Sequence, residues 1–160
     1  MDDLKFIRDE IRRSMRGPAW HGSSLLEVIA DVSRKEAEAR PCGDSHSILE
    51  IAAHILAWIE EVERRLRGGT PSEPERGDWP TGIAWSRIPA LLEKASASLE
   101  QRLESFPAGH LDVLPWGDEL DPPTGTGVSW RAMLHGLTQH TAYHAGQISL
   151  LKKALRTEGR

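Results

Sequence analysis

Four stretches of this chain carry apolar residues at the 3.6-residue spacing of an α-helix. No stretch alternates apolar with polar as a half-buried strand does. In residues 3–15 the stripe is Leu4, Ile7, Ile11 and Met15, and Gly17-Pro18 interrupts it. A second piece follows with Leu25, Ile29 and Val32 on one face, so the two read as one interrupted first arm. Residues 33–44 are polar and end in Pro41-Cys42-Gly43-Asp44, which predicts a loop. The second arm starts near Ser45 or Ser47, where Ser47 and Glu50 have the form of a capping box. Its stripe is Ile48, Ile51, Ile55, Ile59, Val62 and Leu66, and Gly68-Gly69 ends it. Residues 68–83 form a loop rich in Pro and Gly that carries Trp79. A third arm runs from about Ala84 to Phe106, with Pro89 tolerable only in its first turn. Its stripe is Ile88, Leu92, Ala95, Leu99, Leu103 and Phe106. Residues 107–128 form a second long loop, rich in Pro and Gly, of a length that in compact domains is often a functional lid or disordered. The last arm runs from an N-cap at Ser129 to about Arg156, with Gly159 beyond its end, and spans roughly 40 Å. An amphipathic helix must bury its stripe against another element. Four of them predict an all-α, antiparallel four-helix bundle, with residues 1–160 as a single domain.

Composition narrows the function classes. The net charge is −4 and no dense Lys/Arg block occurs, which argues against a phosphate-tracking surface and hence against nucleic acid. No run of 18 apolar residues is present, so no membrane span is expected. The lone Cys42 cannot form an internal disulfide, and Met-Asp-Asp-Leu-Lys lacks the pattern of a signal peptide. Both point to a cytoplasmic location.

The chemistry-bearing residues lie in the segment His135-Gly-Leu-Thr-Gln-His140-Thr-Ala-Tyr-His144-Ala-Gly-Gln147-Ile. With 100° per residue, Met133, Leu137, Ile148, Leu151 and Leu155 share one apolar sector. His140 and His144 fall in the middle of that sector, Gln147 at its edge and His135 on the opposite face. Burying an unpartnered polar group costs roughly 1–3 kcal/mol, so two imidazoles one turn apart need a common explanation. Residues at i and i+4 share a face, and neutral imidazole is the commonest metal ligand. Two core histidines could equally bond each other or a backbone carbonyl, so the pair alone leaves both readings open.

A third ligand must come from another helix, and His54 is the best placed. It lies at the border of its stripe beside Ile51 and Trp58. A border histidine with no ligand role is the alternative. Three histidines leave an ion with open coordination, which marks a catalytic rather than a structural site. Imidazoles suit Zn, Ni, Fe or Cu. Glu50, one turn before His54, either bonds a ligand or metal-bound water or simply caps its helix. Gln147 either lines the pocket or bonds a neighbouring helix. His21, in Trp20-His21-Gly22, either reaches the site or lies at the surface. Trp58 is expected in the core, and Trp79 and Trp116 are expected to anchor the long loops over the bundle end.

Two blocks, Ser45-His-Ser-Ile-Leu-Glu-Ile-Ala-Ala-His54-Ile-Leu-Ala-Trp58 and His140-Thr-Ala-Tyr-His144-Ala-Gly-Gln-Ile148, resemble those of the DinB/YfiT-like superfamily of metalloenzymes. Trp20-His21-Gly22 and Asp78-Trp79-Pro80 are similar to one branch of it. The resemblance implies a four-helix bundle, often dimeric, in which His54, His140 and His144 match the metal triad. It implies one divalent transition metal (Zn, Ni or Fe) used with a low-molecular-weight thiol, in transferases or isomerases, while some relatives resemble hydrolases. The interrupted first arm and the 107–128 loop depart from the thiol transferases, and both would shape a substrate pocket. Three functions follow as expectations. The first is a metal-dependent thiol S-transferase acting on a small molecule. The second is a hydrolase in which the ion activates water. The third is a non-catalytic bundle protein that binds a metal or small molecule.

Overall fold

The computed structural model describes residues 3–119 and 126–157. Gly159, expected past the last helix, and residues 120–125 of the expected second long loop lie outside the described residues. Among the described residues there are six α-helices: α1 (Asp3–Arg16), α2 (Leu25–Ile29), α3 (Arg34–Glu38), α4 (Ile48–Leu66), α5 (Ile88–Glu104) and α6 (Trp130–Thr157). The long helices α1, α4, α5 and α6 make the bundle. In it α4 packs on α5 and α6, and α1 packs on the same two, so α1 and α4 lie on a diagonal. The fold is the helical bundle expected from the four stripes.

Each helix starts and stops where its side chains satisfy the backbone. In α1 the predicted stripe of Leu4, Ile7, Ile11 and Met15 is buried. Its outer face pairs Asp9 with Arg12 and Arg13 at 2.7 and 2.6 Å. The helix ends at Gly17, where φ is +70° and a Cβ would meet the Glu27 carboxylate at 2.9 Å. The Gly17-Pro18 bond is cis. Residues 25–29 do not extend α1. They form the separate helix α2, which packs against both α1 and α6. The Ser24 N–H and Oγ–H donate to Glu27 at 2.7 and 2.9 Å and fix its start.

The expected 33–44 loop contains α3. Ser33 N–H donates to Glu36 Oε2 at 2.8 Å, the Glu36 N–H donates back to Ser33 Oγ at 3.3 Å, and the fully buried Ala37 anchors the turn. A capping box and one buried residue suffice to form a helix in a segment too polar to show a stripe. The expected box at the start of α4 is present: Ser47 N–H donates to Glu50 at 2.7 Å, and Glu50 N–H to Ser47 Oγ at 3.2 Å.

Helix α4 is the centre of the molecule. Beyond its predicted stripe, Ala52, Ala53, Leu56 and Ala57 are also buried, because α3, α5 and α6 surround it. At its C-terminal half the buried Glu61 accepts from Arg65 Nε and Arg64 Nε, both at 2.7 Å. Helix α5 follows a single 3₁₀ turn at Trp85–Arg87, and Pro89 sits in its first turn. Ser129 Oγ accepts from the Ala132 N–H at 3.2 Å where α6 begins. Among the described residues, no helix is long and apolar enough to cross a membrane.

Trp58 is half-buried rather than in the core. An indole carries one N–H that needs a partner, and here it donates to Asp78 Oδ1 at 2.8 Å. Trp116 does hold its loop to the bundle. It packs edge-on against Trp130 at 4.9 Å and on the guanidinium of Arg65 at 5.8 Å.

Candidate metal centre

His54 lies one and a half turns into α4, on the side that meets α6. Because α4 is buried nearly all round, the border of its stripe still faces protein, and His54 is only 6% exposed. His144 is buried to the same degree and His140 is half-buried. One candidate ligand nitrogen from each of the three rings lies within 4.8 Å of the others. The His54 and His140 Nε2 atoms are 2.9 Å apart.

The surrounding groups determine which nitrogens face inward. His54 Nδ1 is 2.7 Å from the Asp78 carbonyl oxygen, an acceptor only, so Nδ1 carries the proton and Nε2 the lone pair. His144 Nδ1 is 2.6 Å from Gln147 Oε1, which fixes the same tautomer. Ligating histidines commonly donate their second ring N–H to a carbonyl or carboxylate in this way. His140 Nδ1 is buried without a hydrogen-bond partner. Burial, reinforced by the neighbouring His144 and His54, pushes the His140 imidazolium down to about 3, with Asp78 opposing. Burial also lowers His144, against the Gln147 hydrogen bond. Both rings are therefore neutral at neutral pH, the form that ligates a metal.

This donor set fits a divalent transition ion. It offers three imidazoles from two packed helices, with the lone pairs of at least two directed inward by fixed partners. Facing lone pairs at hydrogen-bond distance repel unless a proton or a cation lies between them, and a cation satisfies all three rings at once.

The sequence model of one family, described as the DinB superfamily, matches residues 19–148. The chain belongs to the DinB superfamily. The matched segment runs from just after α1 to Ile148 in α6, and includes all three histidines. Comparison with curated proteins and with solved structures gives no significant match.

Two residues of this DinB-superfamily site were not assigned from sequence. Trp79 lies flat between two imidazoles, 4.1 Å from His54 and 3.5 Å from His46 between ring centroids. The loop is thus anchored over the histidines themselves. Asp78 accepts from His54 Nδ1 through its main chain and from Trp58 Nε1 through its side chain, and its Oδ1 is 3.2 Å from His54 Nδ1. Asp78-Trp79-Pro80 had a family likeness but no periodicity, because loop residues reach a site through a path that no helical wheel describes.

The other candidates are placed as follows. Gln147 bonds His144 within its own helix rather than a neighbouring one. The Glu50 carboxylate caps α4 and pairs with Arg40, and it is not part of the cluster. His21 is exposed and is likewise outside the cluster. Beside His54 and His140 opens a pocket of about 380 Å³, with Trp58 in its wall.

Proposed function

We propose that His54, His140 and His144 hold one divalent transition ion, Zn, Ni or Fe, and that the protein is a thiol-dependent S-transferase acting on a small molecule. The observation that carries the reading is the convergence of three imidazoles whose outer nitrogens are tied down at Asp78 and Gln147. No carboxylate belongs to the set, and a pocket adjoins it. An ion so held would keep a coordinated thiol as thiolate at neutral pH, and thiolate is the nucleophile of sulfur transfer.

The chain's own residues supply position and exclusion. Gln147 and the Asp78 carbonyl hold two rings in one tautomer and orientation. Trp79 covers one face of His54, and Trp58 walls the pocket side. An electrophile seated there would lie beside His54 and His140, which line the pocket. With an epoxide, the C–S bond forms as the C–O bond breaks and the alkoxide takes a proton from solvent. With a haloarene, the halide leaves with the bonding pair.

Elemental analysis of the purified protein tests the ion first, with about one equivalent per chain expected, lost in His140→Ala. Turnover of the metal-loaded protein with bacterial thiols and a panel of epoxides and haloarenes tests the reaction. Product formed without thiol would replace the transferase with a hydrolase. Absence of a stoichiometric ion would overturn the metal centre itself. The family likeness also supports a homodimer. Tyr143 and Leu150, seven residues apart and so on one face of α6, are exposed apolar side chains available for it. Sedimentation of Tyr143→Glu against the parent checks that assignment.

A further inference from the structure

The pocket beside the histidines has a wall that packing alone does not explain. Gly136 sits inside α6, where glycine weakens a helix relative to alanine. Its backbone needs no glycine, since it is not among the residues with positive φ. Close packing does not need it either, because a Cβ added there would meet nothing within 4 Å. The empty space in front of it is the pocket, which Gly136 lines. Leaving out a side chain at this position deepens the cavity next to His140, one turn further along the same helix.

The remaining walls define what could fill that space. Trp58, Val62, Val128, Met133 and Leu137 are apolar. Two charged residues also line the pocket, and each is already engaged. The Arg65 guanidinium donates to Glu61 Oε1 at 2.7 Å and to the Ser72 carbonyl at 3.1 Å. It lies between Trp58 and Trp116, 5.9 and 5.8 Å from their ring centres. Asp78 Oδ1 accepts from Trp58 Nε1 and lies against His54. In the metal-free pocket a charged ligand would shed its water without gaining an unpaired countercharge. An uncharged apolar one would lose nothing and release the water that covers these walls.

We propose that this pocket binds an uncharged, predominantly apolar small molecule of roughly ten to fifteen non-hydrogen atoms, and that Gly136 sets the size it accepts. The assignment rests on the proposed reaction centre only for which end of the molecule reacts. Its binding side stands on the pocket.

The test is a titration of the full chain, chelator-stripped so that no ion can ligate a probe, with three probes of one shape: neutral 4-nitroanisole, anionic 4-nitrobenzoate and cationic 4-nitrobenzylammonium. Binding is read from the indole N–H resonance of Trp58 in the pocket wall, with the fully exposed Trp20 as internal control. The neutral probe is expected to saturate the Trp58 shift at least about tenfold more tightly than either charged one. Gly136→Leu is expected to weaken it by at least the same factor without lowering the melting temperature. Gly146→Leu, on the exposed side of the same helix, is expected to leave it unchanged. A charged probe binding as tightly as the neutral one overturns the proposal, and so does undiminished binding to a folded Gly136→Leu. The probe series on the parent protein decides the charge question without any variant. Probe binding by a chain that takes up no stoichiometric ion on metal loading would sink the metal reading and leave this one standing.

Discussion

Replacing Glu61 with Gln tests the buried charge cluster that supports one wall of the pocket. Glu61 is 1% exposed and Arg65 2% exposed. Oε1 accepts from Arg65 Nε at 2.7 Å and from Arg64 Nη2 at 2.8 Å, and Oε2 accepts from Arg64 Nε at 2.7 Å. A glutamine can keep its oxygen on the Oε1 side, and must then turn its NH₂ group toward the Arg64 Nε–H, donor against donor. That loses one charge-assisted bond, about 1.5–3 kcal/mol. It also leaves Arg65 buried without a countercharge, and complete loss of a buried partner costs about 3–5 kcal/mol. The bonds to Oε1 survive with a neutral acceptor, a long one from the Ser72 N–H at 3.4 Å among them, which puts the total near the lower bound, about 3 kcal/mol. For a chain of this length the melting temperature should fall by about 6–12 °C. Urea denaturation followed by far-UV circular dichroism, with calorimetry in parallel, measures both. Glu60→Gln is the control, because Glu60 pairs with Arg76 at 2.6 Å while 36% and 42% of the two side chains are exposed. It should cost under about 1 kcal/mol. A Glu61→Gln loss no larger than that of Glu60→Gln would refute the reasoning.

Gln147→Ala removes the acceptor that holds His144 and should weaken metal binding about 10- to 100-fold, read by competition with a chromophoric chelator. Leu99→Ala, at a fully buried position of α5, should cost about 2–5 kcal/mol in urea with an unchanged denaturant slope. Asp31 and Glu36 tie α2 and α3 to Lys152 and Arg156 of α6, and those cations hold both carboxyls down to about 2. A carboxyl depressed by folding stabilises the folded state at pH above its ordinary value of 3.8 or 4.5. That stability disappears as the pH falls toward 2. The melting temperature should therefore drop over that window, less steeply in Asp31→Asn and in high salt, which screens these exposed charges.

Periodicity carried the architecture, because a stripe such as Ile48–Ile51–Ile55–Ile59 has only one economical use. It also carried His140 and His144, polar residues in the middle of an apolar sector. It was less informative where short-range hydrogen bonds or loops decide. Helix α3 was hidden by its polarity, although Ser33-Arg-Lys-Glu36 has the same box form as Ser47-Ile-Leu-Glu50. His54 looked marginal only because a wheel drawn for one neighbour misjudges a helix packed on several sides. Asp78 and Trp79 gave no positional signal, since nothing in a Pro- and Gly-rich stretch tells which residue folds back onto α4. The Glu61–Arg65 pair was likewise invisible, because charges four apart on a helix look the same whether solvated or sealed.

The diagonal placement of α1 opposite α4 separates two jobs within one small bundle. The histidines come from α4 and α6, while α1 and α5 supply none of them and act as buttresses, pressing apolar side chains into the remaining space. Exchanging Ile7, Ile11, Leu92 or Leu99 for other well-packed residues should raise or lower thermal tolerance at positions that supply no imidazole. An engineer could harden this scaffold from the buttress side and redesign its chemistry from the other, with little trade between them.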